Sequence, residues 1–193
     1  MSDAAGDGVG SVPSPVSARV LVLMRHAEAC GSARGGDHSR QLTADGHEDA
    51  RAVGEWLAEQ GVSADLLLVS SAARARQTAD ELIRGGLRVS GVCSEDRIYN
   101  ADADGIVACI REVPDVVTTL VLVGHAPGVP LVAAGCAGDE TAEHRAGEAS
   151  GLAVSGHRGG WPTAGVGVVA HGGSWTRFPD GSSVLVAHYA PGD

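Results

Sequence analysis

Three short apolar runs recur along the chain, and each leads into a basic side chain. Val20-Leu21-Val22-Leu23-Met24 runs into Arg25-His26. Leu66-Leu67-Leu68-Val69 runs into Ser70-Ser71-Ala72-Ala73-Arg74, and Leu120-Val121-Leu122-Val123 runs into Gly124-His125. Uninterrupted apolar runs of this length read as strands buried on both faces. Between them the periodicity changes. Thr43 suits a helix N-cap with Asp45 in the first turn, Ala50, Val53 and Leu57 share one face, and Gly61 is placed to end that helix. The pattern predicts a second helix over 72–84, stopped by Gly85-Gly86, and a third strand over 87–93. A further helix opens at Asp104, with Ile106, Val107, Ile110 and Val113 inward and Pro114 beyond its end; another starts near Pro127. Residues 138–161 read as polar, Gly-rich loop, and two or three strands close the chain, over 163–170, 174–178 and 183–189. No internal repeat is visible. Strand–helix alternation followed by a strand-rich end predicts an α/β fold: a mostly parallel sheet, helices on both faces, and added edge strands.

Composition narrows the picture. The 193 residues suffice for one good core, and with aromatics at 3% that core must be built from Val, Leu and Ala. Residues 1–17 are rich in Gly, Ser, Asp and Pro and lack the basic start and apolar stretch of a signal peptide. They read as a disordered tail, with 18–193 as a single domain. No apolar run is long enough to span a bilayer. A net charge of -10 argues against nucleic acid or an anionic membrane as partner. The chain has no lysine, so all 14 cationic side chains are arginine. Cys30, Cys93, Cys109 and Cys136 form no Cys-x-x-Cys pair and no zinc pattern; they read as small core residues or free thiols, which suits the cytoplasm.

The strand ends carry the chemistry. In open α/β sheets ligands bind beyond the carboxyl ends of the strands. Arg25, His26, Arg74 and His125 converging there would form a local positive pocket in an acidic protein, fit for a doubly charged phosphoryl group. A neutral imidazole at His26 can attack phosphorus at pH 7 without a separate activating base, and the N–P bond formed is labile to water. Arg25 and Arg74 would grip phosphoryl oxygens with their planar forks, helped at Arg74 by the helix N-terminus. A protonated His125 could donate to a phosphoryl oxygen, and Gly124 would let the backbone approach the ligand. Each of these residues alone also fits a surface ion pair or a satisfied histidine; three strand ends of this kind together are hard to obtain by chance. Other readings fail. A P-loop needs a lysine. Gly165-x-Gly167-x-x-Ala170 is filled with valine and reads as a strand, not a dinucleotide turn. A metal site on His26 and His125 lacks an evident third ligand, and the arginines would repel a cation.

Leu23-Met24-Arg25-His26-Ala27-Glu28-Ala29 resembles the opening motif of the histidine phosphatase superfamily, with Ala27 where most members carry Gly. Asp37-x-x-Arg40-x-Leu42-Thr43-x-x-Gly46, Val69-Ser70-x-x-x-Arg74-Ala75-x-Gln77-Thr78-Ala79, Leu122-Val123-Gly124-His125-x-Pro127-Gly128 and Trp161-Pro162-Thr163-Ala164 are similar, in the same order, to later segments of its SixA-like phosphohistidine phosphatases. The resemblance spans about residues 18–190. It implies a three-layer α/β/α fold of phosphoglycerate mutase-like type. It also implies phosphorylation at His26, a pocket completed by Arg25, Arg74 and His125, and no metal or other cofactor. Arg40 is either a substrate contact or the partner of Asp37 in a loop-anchoring ion pair. The 138–161 stretch is longer than the family usually has there.

The proton donor stays open. Larger superfamily members place a carboxylate between the arginine helix and the second histidine. Glu95, Asp96, Asp102 and Asp104 fall in that region here, and Glu28 lies beside the nucleophile. A missing strong acid would suit N–P cleavage, because an imidazole leaves more easily than an alkoxide. The expectation is therefore a hydrolase acting on phosphohistidine in a protein. The alternatives are a phosphatase of small phosphate esters or nucleotides, and a binding module that senses phosphorylated ligands without turnover.

Overall fold

The computed structural model describes residues 18–137 and 161–192. The expected N-terminal tail, 1–17, and all but the last residue of the expected 138–161 loop lie outside the described residues. The apolar runs form strands β1 (Arg19–Arg25), β3 (Leu66–Ser70) and β6 (Thr119–Gly124), with β2 (Ser63–Ala64), β4 (Arg88–Val89), β5 (Val92–Glu95), β7 (Val166–His171) and β8 (Ser183–Tyr189) around them. Four helices intervene: α1 (Ala44–Glu59), α2 (Ala73–Arg84), α3 (Ala103–Arg111) and α4 (Gly128–Gly135).

Six strands form one sheet in the order β5-β3-β6-β1-β7-β8. β5, β3, β6 and β1 are parallel, whereas β7 runs antiparallel to β1 and β8 antiparallel to β7. The expected mostly parallel sheet with added edge strands is thus observed. Alternation along β1 explains the layers. Leu21 and Leu23 face one apolar cluster with Ile106 and Ile110 of α3 and Val129 and Val132 of α4, while Val22 and Met24 face the other with Val53 and Leu57 of α1 and Leu82 of α2. Helices cover both faces, giving three α/β/α layers. Among the described residues no helix is long and apolar enough to cross a membrane.

α1 and α2 pack tightly for a reason visible in the sequence. A Cβ at Gly54 would lie 2.3 Å from the Leu82 carbonyl oxygen, so only glycine permits this approach. The buried Glu81 carboxylate of α2 then accepts from Arg51 at 2.8 Å and His47 at 3.0 Å, both on α1. Thr43 caps α1 as expected, its hydroxyl accepting from the Gly46 amide at 3.0 Å.

Three expectations are corrected. The strand expected over 87–93 is two: β4 pairs with β2 in a separate two-stranded sheet, and β5 pairs with β3. The strand expected over 174–178 is a 3₁₀ turn at Trp175–Arg177, capped by Ser174; Trp175 and Phe178, three apart, both enter the core. The cap of α3 is Asp102, not Asp104, with its carboxylate accepting from Gly105 at 2.9 Å.

Candidate active site

Strand register builds the site. β1 and β6 pair so that Arg25 lies opposite Gly124, which sets His26 and His125 side by side just past the carboxyl ends of two central strands. The His26 amide donates to the Gly124 carbonyl at 2.9 Å, and the two imidazole centroids are 5.0 Å apart. On the other flank of β6, β3 ends at Ser70, whose hydroxyl lies 2.7 Å from His125 Nε2. Three residues on, α2 begins and presents Arg74 in its first turn. Thr78, one turn further along, ties helix to strand: its hydroxyl accepts from the Ala27 amide at 3.1 Å and donates to the Arg74 carbonyl at 2.7 Å.

The hydrogen bonds fix both histidine tautomers. Arg74 can only donate. Its Nε points at His26 Nε2 at 3.1 Å, so that nitrogen carries a lone pair, and His26 Nδ1–H donates to the Ala27 carbonyl at 2.8 Å. Likewise Arg74 Nη2 lies 3.3 Å from His125 Nδ1, which must accept, leaving His125 Nε2–H to donate to Ser70. Burial, then the charges of Arg74, Arg25 and Arg40, outweigh the Ala27 hydrogen bond and push His26 down to about 4. Burial, His26 and Arg74 push His125 down to about 3. In the free protein at pH 7 both rings are neutral. The protonated His125 of the sequence reading is corrected for this state; it would need an anion alongside to raise its affinity for a proton.

These two depressed imidazoles make the stability of the fold depend on pH. The unfolded chain binds protons at residues 26 and 125 as pH falls through 6.5, whereas the folded chain does so only near 4 and 3. The unfolded state therefore gains protons first, and stability drops on acidification. Between pH 7 and 5 the loss should be on the order of 2 kcal/mol per histidine. Urea unfolding of the free protein at the two pH values measures it, and His125→Asn should roughly halve the dependence.

Arg25 completes the cationic set. Its Nη1 donates to the Trp161 carbonyl at 2.7 Å, while its Nε is buried without an acceptor among the described residues. Burial pushes the guanidinium below its ordinary value. A cation held this way gains from an anion next to it. The turn that holds Arg25 is itself stapled to β1: the Arg25 amide donates to Gly165 at 3.0 Å and the Ala164 amide to His26 at 3.2 Å.

A cavity of about 380 Å³ opens onto these groups, lined by Arg25, His26, Arg74 and His125 together with Glu28, Asp37, Arg40 and Thr163 among others. That lies within the roughly 300–1,000 Å³ of small-molecule sites. Arg40 pairs with Asp37, Nε to carboxylate, at 2.8 Å, and its side chain also lines the cavity. Glu28 lines the cavity and accepts from the Thr43 hydroxyl at 2.8 Å. Asp102 is spent on capping α3 and is not among the lining residues. Gly124 does not line it either. A Cβ there would meet Val129 at 2.9 Å and Ile98 at 3.2 Å, so this glycine serves the packing behind the site. Among the described residues no three His, Cys, Asp or Glu side chains are grouped to hold a metal ion.

Three contributors escape the sequence pattern. Ser70 fixes the His125 tautomer. Tyr99, from the segment after β5, donates to the Asp37 carboxylate at 2.7 Å and lies 5.7 Å from the His125 ring. Asp37 reaches Arg74 as well as Arg40, its Oδ2 accepting at 3.1 Å and its carbonyl at 2.9 Å. Ser70 and Asp37 both fall within the matched motifs, but only Asp37 has a role there, as a partner for Arg40; Tyr99 carries no signal.

Residues 21–92 match the family model of the histidine phosphatase superfamily (branch 1). An uncharacterized protein of Mycobacterium leprae is 32% identical over 173 residues, covering 87% of this chain and 99% of that one. Two solved structures share the fold. The candidate phosphohistidine phosphatase SixA of Nakamurella multipartitia has a TM-score of 0.71 and 29% identity, covering 93% of this chain and 100% of that one. Its counterpart from Agrobacterium tumefaciens has a TM-score of 0.69 and 26% identity, covering 90% and 98%. The chain belongs to the histidine phosphatase superfamily, and that membership supports phosphatase activity, hydrolysis of phosphorylated compounds. Within the superfamily it is SixA-like.

Proposed function

We propose that the protein removes phosphate from phosphohistidine in a protein, through a covalent phosphohistidine on His26. One observation carries this reading: His26 Nε2 is an unprotonated nitrogen facing the cavity between Arg74 and His125, with its Nδ1–H tied to Ala27. In the first step the Nε2 lone pair forms a bond to phosphorus as the bond to the substrate nitrogen breaks. The substrate imidazole leaves neutral if its other nitrogen already bears a proton. His26 becomes a phosphorylated imidazolium, its Nδ1–H still donating to Ala27. That positive ring is a good leaving group, so water can attack phosphorus and release inorganic phosphate, the water proton passing to phosphate or solvent. Arg25 and Arg74 supply the positive charge for the phosphoryl oxygens in both steps, and no metal is assigned a role.

The choice of an N–P substrate rests on acid supply. The Asp37 carboxylate, held by Tyr99, Arg40 and Arg74, is pushed well below the ordinary range and stays ionised. It cannot protonate an alkoxide at neutral pH. The second reading, a small phosphate ester or nucleotide as substrate, is favoured by Glu28, whose carboxylate lines the same cavity. Turnover of a phosphohistidine-bearing protein and of aryl and nucleoside monophosphates should be compared on the purified enzyme. At least tenfold higher kcat/KM on the protein is expected; equal or higher values on the esters would reject the choice. Binding of phosphate without release from any of these compounds would mark a sensor module. The site of action proposed is the cytoplasm, where phosphohistidine proteins would meet it.

A further inference from the structure

The Arg74 guanidinium is held from two sides. Nε and Nη2 face the imidazoles of His26 and His125, at 3.1 and 3.3 Å. The remaining contacts, Nη1 to the Asp37 carbonyl at 2.9 Å and Nη2 to the Asp37 carboxylate at 3.1 Å, lie with the loop between β1 and α1. That loop is closed at its neck, where Ala29 bridges Leu42 and the Cys30 amide donates to Gln41 at 2.9 Å. Its tip carries a short 3₁₀ turn, Asp37–Ser39. Tyr99, from the segment after β5, pins the tip. The phenol donates to Asp37, the ring lies 5.8 Å from the Arg74 guanidinium carbon, and its edge meets His38 at 4.9 Å.

We propose that Asp37 is a positioning residue, and that Tyr99 acts through it: together they fix Arg74 so that its two imidazole-side donors are aimed where the phosphoryl oxygens arrive. This rests on the reading of His26 as phosphoryl acceptor. The reason is geometric. Arginine has a long, flexible stem, and a guanidinium misplaced by about 1 Å can slow a reaction roughly 10²-fold. Asp37 occupies the edge of the fork away from His26 Nε2, so a phosphoryl group can take the imidazole-side donors without expelling it. The carboxylate in turn needs its own anchors, and Arg40 Nε at 2.8 Å and the Tyr99 hydroxyl at 2.7 Å provide them. A carboxylate beside an anion site repels the ligand, so its presence is otherwise a disadvantage.

The test uses full-length enzyme with phosphoramidate as donor, reading single-turnover labelling of His26 and, separately, the dissociation constant of inorganic phosphate. Asp37→Asn should slow labelling about 10²-fold, by loss of orientation, while phosphate binds as tightly or more tightly, one negative charge having gone. Tyr99→Phe, which keeps the ring over Arg74, should slow labelling roughly 3- to 10-fold, the worth of one hydrogen bond. The double variant should be no slower than Asp37→Asn alone, because both act on one contact. Faster labelling in Asp37→Asn would overturn the proposal, showing the carboxylate to be only a competitor for Arg74. Multiplying rate losses, or phosphate binding that weakens in step with the rate, would overturn it too. Failure of the unaltered enzyme to take up label would instead reject the His26 reading, which separates the two outcomes.

Discussion

Replacing His26 with alanine should abolish uptake of acid-labile phosphate and lower phosphate release by roughly 10⁴- to 10⁶-fold, the scale seen when a covalent nucleophile is removed. The other ring in the pocket, His125, has its Nδ1 on Arg74 and its other nitrogen donating to Ser70, and is assigned contact with the phosphoryl oxygens rather than attack on phosphorus. Asp37 is ionised but engaged by three donors. Residue 26 is 8% exposed, and removal of its ring leaves space in which water could approach phosphorus, but water is a far poorer nucleophile than the imidazole. Inorganic phosphate should still bind, since Arg25 and Arg74 remain. Labelling with phosphoramidate followed by acid treatment reads the first effect, and equilibrium phosphate binding the second. Acid-labile label on the alanine variant would place the nucleophile elsewhere.

Arg74 carries the second large effect. Among the described residues it is the one side chain hydrogen-bonded to both imidazoles and the Asp37 loop, and it is 2% exposed. Arg74→Ala should cost about 10²- to 10³-fold in turnover, as expected for preorganised donors aimed at developing phosphoryl charge. Arg74→Lys should recover less than tenfold of that loss. An ammonium restores the charge but cannot place separate donors on His26 Nε2, His125 Nδ1 and Asp37 at once. Arg76 is the control: two residues along the same helix, it is exposed and does not line the cavity. Arg76→Ala should retain full activity. Steady-state kinetics on the three variants with one phosphorylated substrate makes the comparison, and full activity in Arg74→Lys would show that charge alone is required.

Much of the fold was legible because its central strands are buried on both sides. Runs such as Leu66 to Val69 and Leu120 to Val123 admit little else, and α1 is bounded clearly by the Thr43 cap and by Gly61, which follows the Gln60 C-cap with positive φ. The misses occur where tertiary contacts choose between local options. The strand expected over 87–93 splits because β4 and β5 answer to different partners, β2 and β3. The 174–178 segment mixes aromatic and polar residues as a strand would, yet the three-residue spacing of Trp175 and Phe178 favours a tight turn into the core. Two acids two positions apart, Asp102 and Asp104, both fit a helix start, and only the folded backbone brings one of them, Asp102, onto the Gly105 amide.

The candidate site was legible for the groups that strand ends deliver. Arg25, His26, Arg74 and His125 are fixed by register and helix start, both of which follow from hydrophobic pattern. What orients them was not. Tyr99 comes from a 3₁₀ turn after the edge strand β5, with no periodicity to mark which way it points. Ser70 looks like any strand-end serine until His125 is set beside it. Gly124, read as a ligand approach, answers to Ile98 and Val129 behind it. Tautomers, likewise, depend on partners that only folding assembles.

A crystal structure with vanadate or tungstate bound tests the central claim most directly. The metal of the oxyanion should sit in line with His26 Nε2, with His26 Nδ1 still donating to the Ala27 carbonyl. Guanidinium nitrogens of Arg25 and Arg74 and a ring nitrogen of His125 should contact its remaining oxygens. An oxyanion bound through His26 Nδ1, or seated away from these four side chains, would contradict the account.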